Sequence, residues 1–178
     1  MLVDSHCHLD FPEFGPELDA VMLRARTAGV GTCVTVGTKI STFDRTCAIA
    51  ERFEDVWCSI GSHPHEAAGE VLSDADDLLK NTERRKVVGV GETGLDYYYE
   101  HSSREAQARN FRVHIAAARA SGLPLIVHTR EADEDTIAIL RDEMEEGAFR
   151  GLIHCFTAGP RLAKWRSSSV FTFRYPES

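Results

Sequence analysis

The stretch Leu-Val-Asp-Ser-His-Cys-His-Leu-Asp at residues 2–10 sets the pattern for the whole chain. It predicts a short strand that ends in histidines. Because successive side chains of a strand point to opposite faces, His6 and His8 face the same way and Cys7 faces the other way. Two imidazoles on one face at a strand end can serve as two ligands of a metal site. Taken alone, the pair fits two half-buried histidines on an edge strand equally well.

The same order, a short apolar run followed by a helical segment, recurs along the chain. Most of these runs are almost continuously hydrophobic, as expected for parallel strands that are buried on both faces. Alternation of strands and helices predicts βαβ units, a parallel sheet and the α/β class. The six predicted strands span residues 2–8, 32–37, 56–61, 86–91, 123–128 and 151–155.

The segments between these runs predict helices. The longest covers 103–121 and ends before Gly122, a residue that commonly terminates helices. A helix is also expected from Ser41, with Asp44 three residues later in an approximate capping box. The other predicted helices span 16–28, 133–146 and, with a weaker pattern, 72–80. The inner face of the longest helix is predicted to carry Ala106, Phe111, His114, Ile115 and Ala118.

Size and charge restrict the class of protein. The 178 residues are enough for one core of ordinary size. A net charge of −8 argues against a duplex-binding protein with a broad basic face. It leaves nucleic-acid enzymes open, because divalent cations in a cleft supply local positive charge. No apolar run approaches the roughly 20 residues that cross a bilayer, and no signal peptide is visible. We therefore expect a cytoplasmic protein with no membrane partner.

The five cysteines are irregularly spaced and form no Cys-x-x-Cys motif. This pattern argues against a disulfide framework or a structural zinc site. Most of them are expected to be small buried hydrophobic residues in a reducing compartment.

Six of the eight histidines lie at the carboxyl ends of predicted strands. In a parallel α/β barrel these ends converge on one face, where the active sites of that fold lie. Only His101 and His114 lie elsewhere, on or beside the longest helix. Residues about 150 positions apart in sequence can therefore meet at one site.

Four of these histidines and one carboxylate form the candidate metal ligands: His6, His8, Glu92, His128 and His154. Each histidine alone would more often be a core residue. Burying all of them together without a partner would be costly, which favours a metal site. Glu92 lies between glycines at a predicted strand exit, where a carboxylate could bridge two metals. Imidazole and carboxylate suit zinc, manganese, cobalt or iron, and magnesium alone less readily.

Five motifs carry a resemblance to the TatD family of metal-dependent hydrolases. They are Val-Asp-Ser-His-Cys-His-Leu-Asp at 3–10, Gly-Ser-His-Pro-His at 61–65, Gly-Glu-Thr-Gly-Leu-Asp-Tyr at 91–97, Pro-Leu-Ile-Val-His-Thr-Arg at 124–130 and His-Cys-Phe-Thr at 154–157. The resemblance runs from residue 1 to about residue 164. It implies a TIM-type (β/α)8 barrel, two divalent metal ions and phosphodiester hydrolysis of DNA.

The same resemblance implies roles for individual residues. His6 and His8 would bind one metal, His128 and His154 the other, and Glu92 would bridge the two ions and act in catalysis. The metals would be Mg, Mn or Zn. His63, His65 and Arg130 are expected to bind substrate phosphate or to protonate the leaving group, with strand-end packing as the alternative. Asp96 is expected to orient a metal ligand.

The chain departs from the family pattern after His154. The family has a further Asp ligand on a late strand, whereas the only acidic residue here is Glu177, which we do not count as its replacement. A barrel of this kind usually needs about 250 residues, so only about six βα units are expected. We divide the chain into a barrel domain (1–164) and an atypical tail (165–178). A frameshift or truncated reading frame after residue 164 is one explanation, testable by sequencing the coding DNA. A natural short form with an edge strand at 170–174 is the other.

The leading functional hypothesis is a metal-dependent deoxyribonuclease that acts on single-stranded DNA or DNA ends, without an obligate protein partner. The absence of the late Asp predicts reduced activity. Two alternatives stay open: an amidohydrolase-type enzyme acting on a small molecule, and an inactive metal-binding product. No lysine near a strand end is available for carboxylation, which favours the nuclease over the amidohydrolase.

Overall fold

The structure is a computed structural model that describes residues 1–154 and 171–173. Its strands form one parallel sheet in chain order, each pairing with the next, which confirms the α/β prediction. The strands are β1 (Leu2–Cys7), β2 (Val30–Thr35), β3 (Val56–Ile60), β4 (Val87–Asp96), β5 (Leu125–Arg130), β6 (Gly151–Ile153) and β7 (Phe171–Phe173). The helices are α1 (Leu18–Thr27), α2 (Phe43–Arg52), α3 (Asp76–Thr82), α4 (Arg104–Ser121) and α5 (Asp133–Glu146).

The sheet is strongly curled. β1 and β6 are separated by five strand spacings, which in a flat sheet amounts to about 24 Å. The ring of His6, on β1, nevertheless stacks on the ring of His154, directly after β6, with the ring centroids 4.0 Å apart. A sheet rolled toward a barrel brings these strand ends together. The curvature agrees with the predicted incomplete TIM-type barrel.

The described residues contain seven strands rather than the predicted six. β7 pairs in parallel with β6, with Gly151 opposite Phe171, at the edge of the sheet. It falls within the run 170–174, for which an edge strand was one of the two alternatives. Cys155, Glu177 and the predicted domain boundary after residue 164 lie outside the described residues.

Helix α4 begins and ends as the sequence predicts. The Ser103 hydroxyl accepts a hydrogen bond from the backbone N–H of Ala106 at 3.2 Å, which caps the first turn. Gly122 ends the helix with a φ of 72°, in the left-handed region that glycine enters at little cost. The predicted inner face is confirmed, because all of its residues are buried: Ala106, Phe111, His114, Ile115 and Ala118.

Two helices begin later than predicted. Pro16 lies in a 3-10 helix (Pro12–Glu17), and α1 follows it. Ser41 lies in the 3-10 turn Ile40–Thr42, and its backbone N–H donates to a Glu70 carboxylate oxygen at 3.1 Å. The predicted capping box is therefore wrong, because a carboxylate distant in sequence binds the residue that was expected to cap α2. Helix α3 is likewise shorter than the segment 72–80 and shifted toward its carboxyl end.

Apolar side chains from the helices pack on the outer side of the sheet in a single core. Cys33, Cys47 and Cys58 are buried in it as free thiols, as predicted. Burial raises the pKa of all three thiols, so they are protonated. None of the helices within residues 1–154 has the length and apolar character needed to cross a membrane.

Candidate metal centre

The carboxylate of Glu92 lies at the centre of the histidine cluster and is only 2% exposed. One of its oxygens, Oε2, is 3.1 Å from the Nε2 atom of His6 and 3.9 Å from the Nε2 atom of His8. Both histidines come from the end of β1. These three residues form one group whose ligand atoms all lie within 4.8 Å of one another.

The other oxygen of Glu92, Oε1, faces a second set of histidines. It is 2.8 Å from the Nδ1 atom of His128, at the end of β5, and it also contacts the Nε2 atom of His154. The two imidazole nitrogens lie 3.2 Å apart. The structure thus brings together all five predicted metal ligands and divides them between the two oxygens of one carboxylate.

The sequence placed Glu92 at the exit of a strand that was predicted to end at Gly91, and this boundary is wrong. Glu92 lies inside β4, which continues to Asp96. Its backbone N–H donates to the Gly37 carbonyl at 3.0 Å. The glycines around Glu92 are therefore strand residues that allow neighbouring backbones to approach closely.

Hydrogen bonds outside the cluster select which ring nitrogens are free to bind a cation. The Nδ1–H of His8 donates to the Val36 carbonyl at 3.1 Å, which leaves Nε2 as the acceptor atom. The Nε2–H of His128 donates to Oδ2 of Asp96 at 3.1 Å, which leaves Nδ1 toward Glu92. Such contacts orient metal-binding histidines and raise their basicity. Asp96 occupies the orienting position that was expected of it.

His6 provides a direct test of whether a metal fits this cluster. Both ring nitrogens are buried, and neither forms a well-aligned hydrogen bond among the described residues, although Nε2 lies 3.1 Å from Oε2 of Glu92. A buried imidazole without hydrogen bonds is costly and uncommon. A cation bound at Nε2 would satisfy one of these atoms. The donor set around Glu92 therefore fits a divalent metal.

The charge states in the cluster also suit a cation. Burial opposes ionisation of Glu92, but its contacts with His128, His154 and His6 outweigh this and hold its pKa well below the usual range. Burial lowers the pKa of His154, so that imidazole is neutral. Burial also acts against His128, but Glu92 and Asp96 raise its pKa overall. Because imidazoles bind metal in their neutral form, the ionised Glu92 and the neutral His154 suit a cation, whereas His128 would have to release the proton that Glu92 and Asp96 favour.

His63 and His65, predicted to bind substrate, lie beside the cluster in the loop after β3. The backbone N–H of His65 donates to Nδ1 of His63 at 3.2 Å, so Nε2 of His63 carries the hydrogen in the neutral ring. Burial lowers the pKa of His63 to about 3. Nε2 lies 3.6 Å from Glu92, close enough to share a cation, but as an N–H group it is a donor. His63 is therefore better suited to an oxygen of the substrate than to a metal.

Arg130 does not enter the cavity at the cluster. Its guanidinium lies over the rings of Tyr98 and Tyr99, 4.0 Å and 4.8 Å from their centroids. The sequence placed Arg130 correctly at the end of a strand but could not indicate that two tyrosines would attract it away from the histidines.

A cavity of about 470 Å³ opens onto the cluster. Four residues that the sequence analysis missed help to line it: Phe11, Thr38, Lys39 and Glu66. Phe11 and Lys39 each follow shortly after the end of β1 or β2, so the strand-end rule used for the histidines contained the signal for both. The statement that no lysine lies near a strand end is therefore wrong, because Lys39 lines this cavity. Lys39 is held by Glu66, with 3.0 Å between Nζ and Oε2.

His114 supports the cluster from within the core. It is fully buried on α4, where its Nδ1–H donates to the Asn110 carbonyl at 2.8 Å. Its Nε2 accepts the backbone N–H of Ser62 at 3.0 Å. Since Ser62 immediately precedes His63, this neutral histidine fixes the loop that carries the predicted substrate-binding residues.

The burial of His114 predicts a loss of stability in acid. Burial lowers its pKa to about 4, against about 6.5 when the chain is unfolded. Between these values the unfolded chain binds a proton that the folded chain does not, so stability falls as the pH falls. We expect the loss between pH 7 and pH 4.5, measured by urea unfolding, to be smaller by about 2–3 kcal/mol in His114→Gln than in the wild type. Equal losses of stability in the two proteins would contradict the lowered pKa of the buried His114.

Comparison with known families agrees with this geometry. A family model described as TatD related DNase matches residues 3–175. The chain belongs to the TatD family. Among its relatives is an uncharacterized metal-dependent hydrolase of Bacillus subtilis, 35% identical over 164 residues, which cover 92% of this chain and 64% of the relative. An uncharacterized metal-dependent hydrolase of Escherichia coli is 37% identical over 88% of this chain and 59% of the relative.

One relative carries a more specific name. A protein of Enterobacter lignolyticus named 3′-5′ ssDNA/RNA exonuclease TatD is 30% identical over 88% of this chain and 60% of its own length. This TatD family chain thus spans less than two thirds of the length of the curated relatives that it matches.

Solved structures show the same fold. A TatD homologue from Escherichia coli superposes with a TM-score of 0.85 at 28% identity, covering 97% of this chain and 66% of that one. A TatD family hydrolase from Entamoeba histolytica, at 22% identity and a TM-score of 0.83, supports the fold alone. The chain therefore belongs to a family whose named members include metal-dependent hydrolases, and its parallel sheet is curled like part of a barrel.

Proposed function

We propose that this TatD family hydrolase cleaves phosphodiester bonds in nucleic acid, with the ends of single-stranded DNA as substrate, and that it uses two divalent cations. The observation that carries the proposal is the position of Glu92, whose two buried oxygens face two separate histidine groups. The name of the Enterobacter lignolyticus relative supports a nucleic-acid substrate.

In this proposal His6, His8 and Glu92 would hold one cation, and His128, His154 and Glu92 would hold the other. Bound at these positions, two divalent cations supply Lewis-acid polarisation of the phosphoryl group and lower the pKa of water toward neutrality. Mn²⁺ and Zn²⁺ suit the imidazole-rich set best, and Mg²⁺ is the third candidate.

The side chains around the cations orient the substrate. The Nε2–H of His63 donates to Nδ1 of His128 at 3.3 Å and lies 3.6 Å from Glu92, so it would be available to a phosphate oxygen if both groups held a cation. The His65 ring also faces this cavity, and its Nε2–H donates to Asp96 at 2.9 Å. Because Asp96 accepts from both His65 and His128, it couples the substrate-facing loop to a metal ligand. Substrate and metal positions are therefore held by one carboxylate.

His128→Ala tests this function. We expect the wild type to bind two divalent ions per chain and to release nucleotides from a single-stranded oligonucleotide in Mn²⁺ or Mg²⁺. The variant should bind one ion and lose at least about 100-fold in rate, since a metal supplies several kcal/mol of charge stabilisation. Metal content by elemental analysis and nucleotide release by chromatography provide the two readouts.

His101→Ala is the matched control for metal content, because His101 contributes to neither of the two candidate ligand groups. It should retain two ions. Equal rates for wild type and His128→Ala would contradict the metal assignment. Turnover of a cyclic amide in preference to DNA would indicate the amidohydrolase alternative. One ion or none, without hydrolysis of any substrate, would indicate an inactive metal-binding chain.

A further inference from the structure

The exposed aromatic side chains of the described chain are concentrated around the metal centre. Only Phe11, Tyr98 and Tyr99 among the phenylalanines, tyrosines and tryptophans of residues 1–154 are exposed, at 42%, 53% and 49%. Phe11 stacks on the His8 ring with the centroids 4.9 Å apart. The Tyr99 ring meets the His65 ring edge-on at 5.4 Å. Exposed aromatic rings gathered at one site indicate a binding surface rather than scattered surface residues.

We propose that Tyr98, Tyr99 and Arg130 form a subsite for the nucleotide next to the scissile phosphate. The base stacks on one tyrosine ring and meets the other edge-on, because the two rings are perpendicular, and the adjoining phosphate binds Arg130. This proposal rests on the proposed function, and it identifies the part of the nucleic acid that the chain recognises. Stacking on aromatic rings accepts any base in a single strand, whereas in a duplex the faces of the bases are already covered.

Hydrogen bonds attach the tyrosine loop, residues 97–99, directly to the metal centre. Oδ1 of Asp96 accepts the backbone N–H groups of Tyr98 and Tyr99, both at 3.0 Å. Oδ2 of the same carboxylate accepts from the metal ligand His128 at 3.1 Å. The backbone N–H of Tyr97 donates to the Arg130 carbonyl at 3.0 Å, which ties the loop to β5. The backbone that carries the two rings is therefore held in place, one carboxylate away from His128.

Arg130 is positioned to bind a phosphate. It lies two residues after His128 on β5, so both side chains face the same side of the strand. Its guanidinium has no carboxylate partner within the described part of the chain, in contrast to Lys39, which pairs with Glu66. Stacking on two tyrosines leaves the edge of the guanidinium free for bidentate contact with phosphate oxygens.

Binding of a fluorescent single-stranded oligothymidylate, measured by anisotropy in a chelator, tests the subsite without any requirement for catalysis. We expect Tyr98→Ala to weaken binding about tenfold, or about 1.4 kcal/mol, and Tyr98→Phe to bind like the wild type because the ring remains. Leu23→Ala, which truncates another exposed side chain on α1, should also bind like the wild type. Unchanged binding by Tyr98→Ala, or no binding by the wild type, would overturn the proposal.

Turnover separates a failure of the subsite from a failure of the proposed function. With Mn²⁺ present, the wild type should cleave an oligonucleotide about tenfold faster than one whose penultimate residue lacks its base. In Tyr98→Ala this ratio should fall to near one. A ratio unchanged by the substitution would overturn the subsite and leave the nuclease proposal intact. If no phosphodiester is cleaved, the proposed function fails and the binding titration alone decides on the subsite.

Discussion

Glu92→Gln is expected to empty the metal centre and to lower phosphodiester hydrolysis by about three orders of magnitude or more, the largest effect on activity predicted for this chain. The carboxylate is the one group that faces both histidine sets, through Oε2 toward His6 and Oε1 toward His128. Glutamine has nearly the same shape, but it carries no charge and presents an NH₂ group where one oxygen was. One side of the site would then offer a donor, which repels a cation.

The loss of activity is expected to be larger in Glu92→Gln than in His128→Ala, because Glu92 belongs to both ligand groups and His128 to one. Removal of His128 leaves the group at β1 intact, whereas neutralising Glu92 weakens both groups together. We therefore expect Glu92→Gln to bind less than one ion per chain, below the content of His128→Ala. Elemental analysis after dialysis against Zn²⁺ or Mn²⁺ measures this directly, in parallel with nucleotide release.

Asp19→Asn is the matched control, because it also removes one carboxylate charge, but from a side chain that is 72% exposed and, within the described part of the chain, forms an ion pair only with Arg52. Its metal content and rate should equal those of the wild type. Far-ultraviolet circular dichroism distinguishes a folded variant without metal from an unfolded one. Retention of two ions by folded Glu92→Gln would mean that this carboxylate does not hold the cations.

The convergence of the candidate ligands was predictable from sequence because it follows a simple topological rule. Parallel strands in chain order end on one face, so histidines at strand ends must converge, however far apart they lie in sequence. His6 and His154 illustrate this, since 148 positions of sequence separate two rings that stack at 4.0 Å. The family motifs and the local apolar runs then specified which strand ends were involved.

What the sequence could not provide is the direction in which long side chains turn. Arg130 is on the expected strand, but its orientation depends on two tyrosines from a neighbouring loop. Ser41 was expected to cap α2, but a carboxylate 29 residues away binds it. The error at Ser41 and the unforeseen orientation of Arg130 have the same origin: a local pattern records intrinsic preference, and a tertiary partner outweighs it when the free-energy difference is about 1 kcal/mol.

The end of β4 was misplaced for a related reason. Gly91 and Gly94 look like turn residues in sequence, because glycine is frequent wherever a strand stops. In the structure both lie within β4, which continues as far as Asp96. Their function is to admit the neighbouring β5 backbone, and no pattern within one strand reports on the strand beside it. The fold around these glycines can be tested directly.

Gly94→Ala should destabilise the chain by about 3 kcal/mol or more, through strain and overpacking together. Gly94 has a φ of 139°, and a Cβ atom there would lie 2.1 Å from the carbonyl oxygen of its strand partner His128. Relief of that contact must move the backbone of β5 away from β4. Since the displaced residue is His128, a proposed metal ligand, metal affinity should fall along with the free energy of unfolding.

Gly122→Ala separates the contribution of backbone strain from that of overpacking. Gly122 also has a positive φ, 72°, but a Cβ atom there would meet nothing within 4 Å, so the substitution introduces strain without a clash. We expect it to cost about 1–2 kcal/mol and to leave metal binding unchanged. Urea unfolding of both variants, with zinc titrations of each, makes the comparison. Suppose that Gly94→Ala were no less stable than Gly122→Ala and bound metal equally well. Then β4 and β5 could not approach each other as closely as the site requires, and the placement of Glu92 and His128 in one metal centre would have to be abandoned.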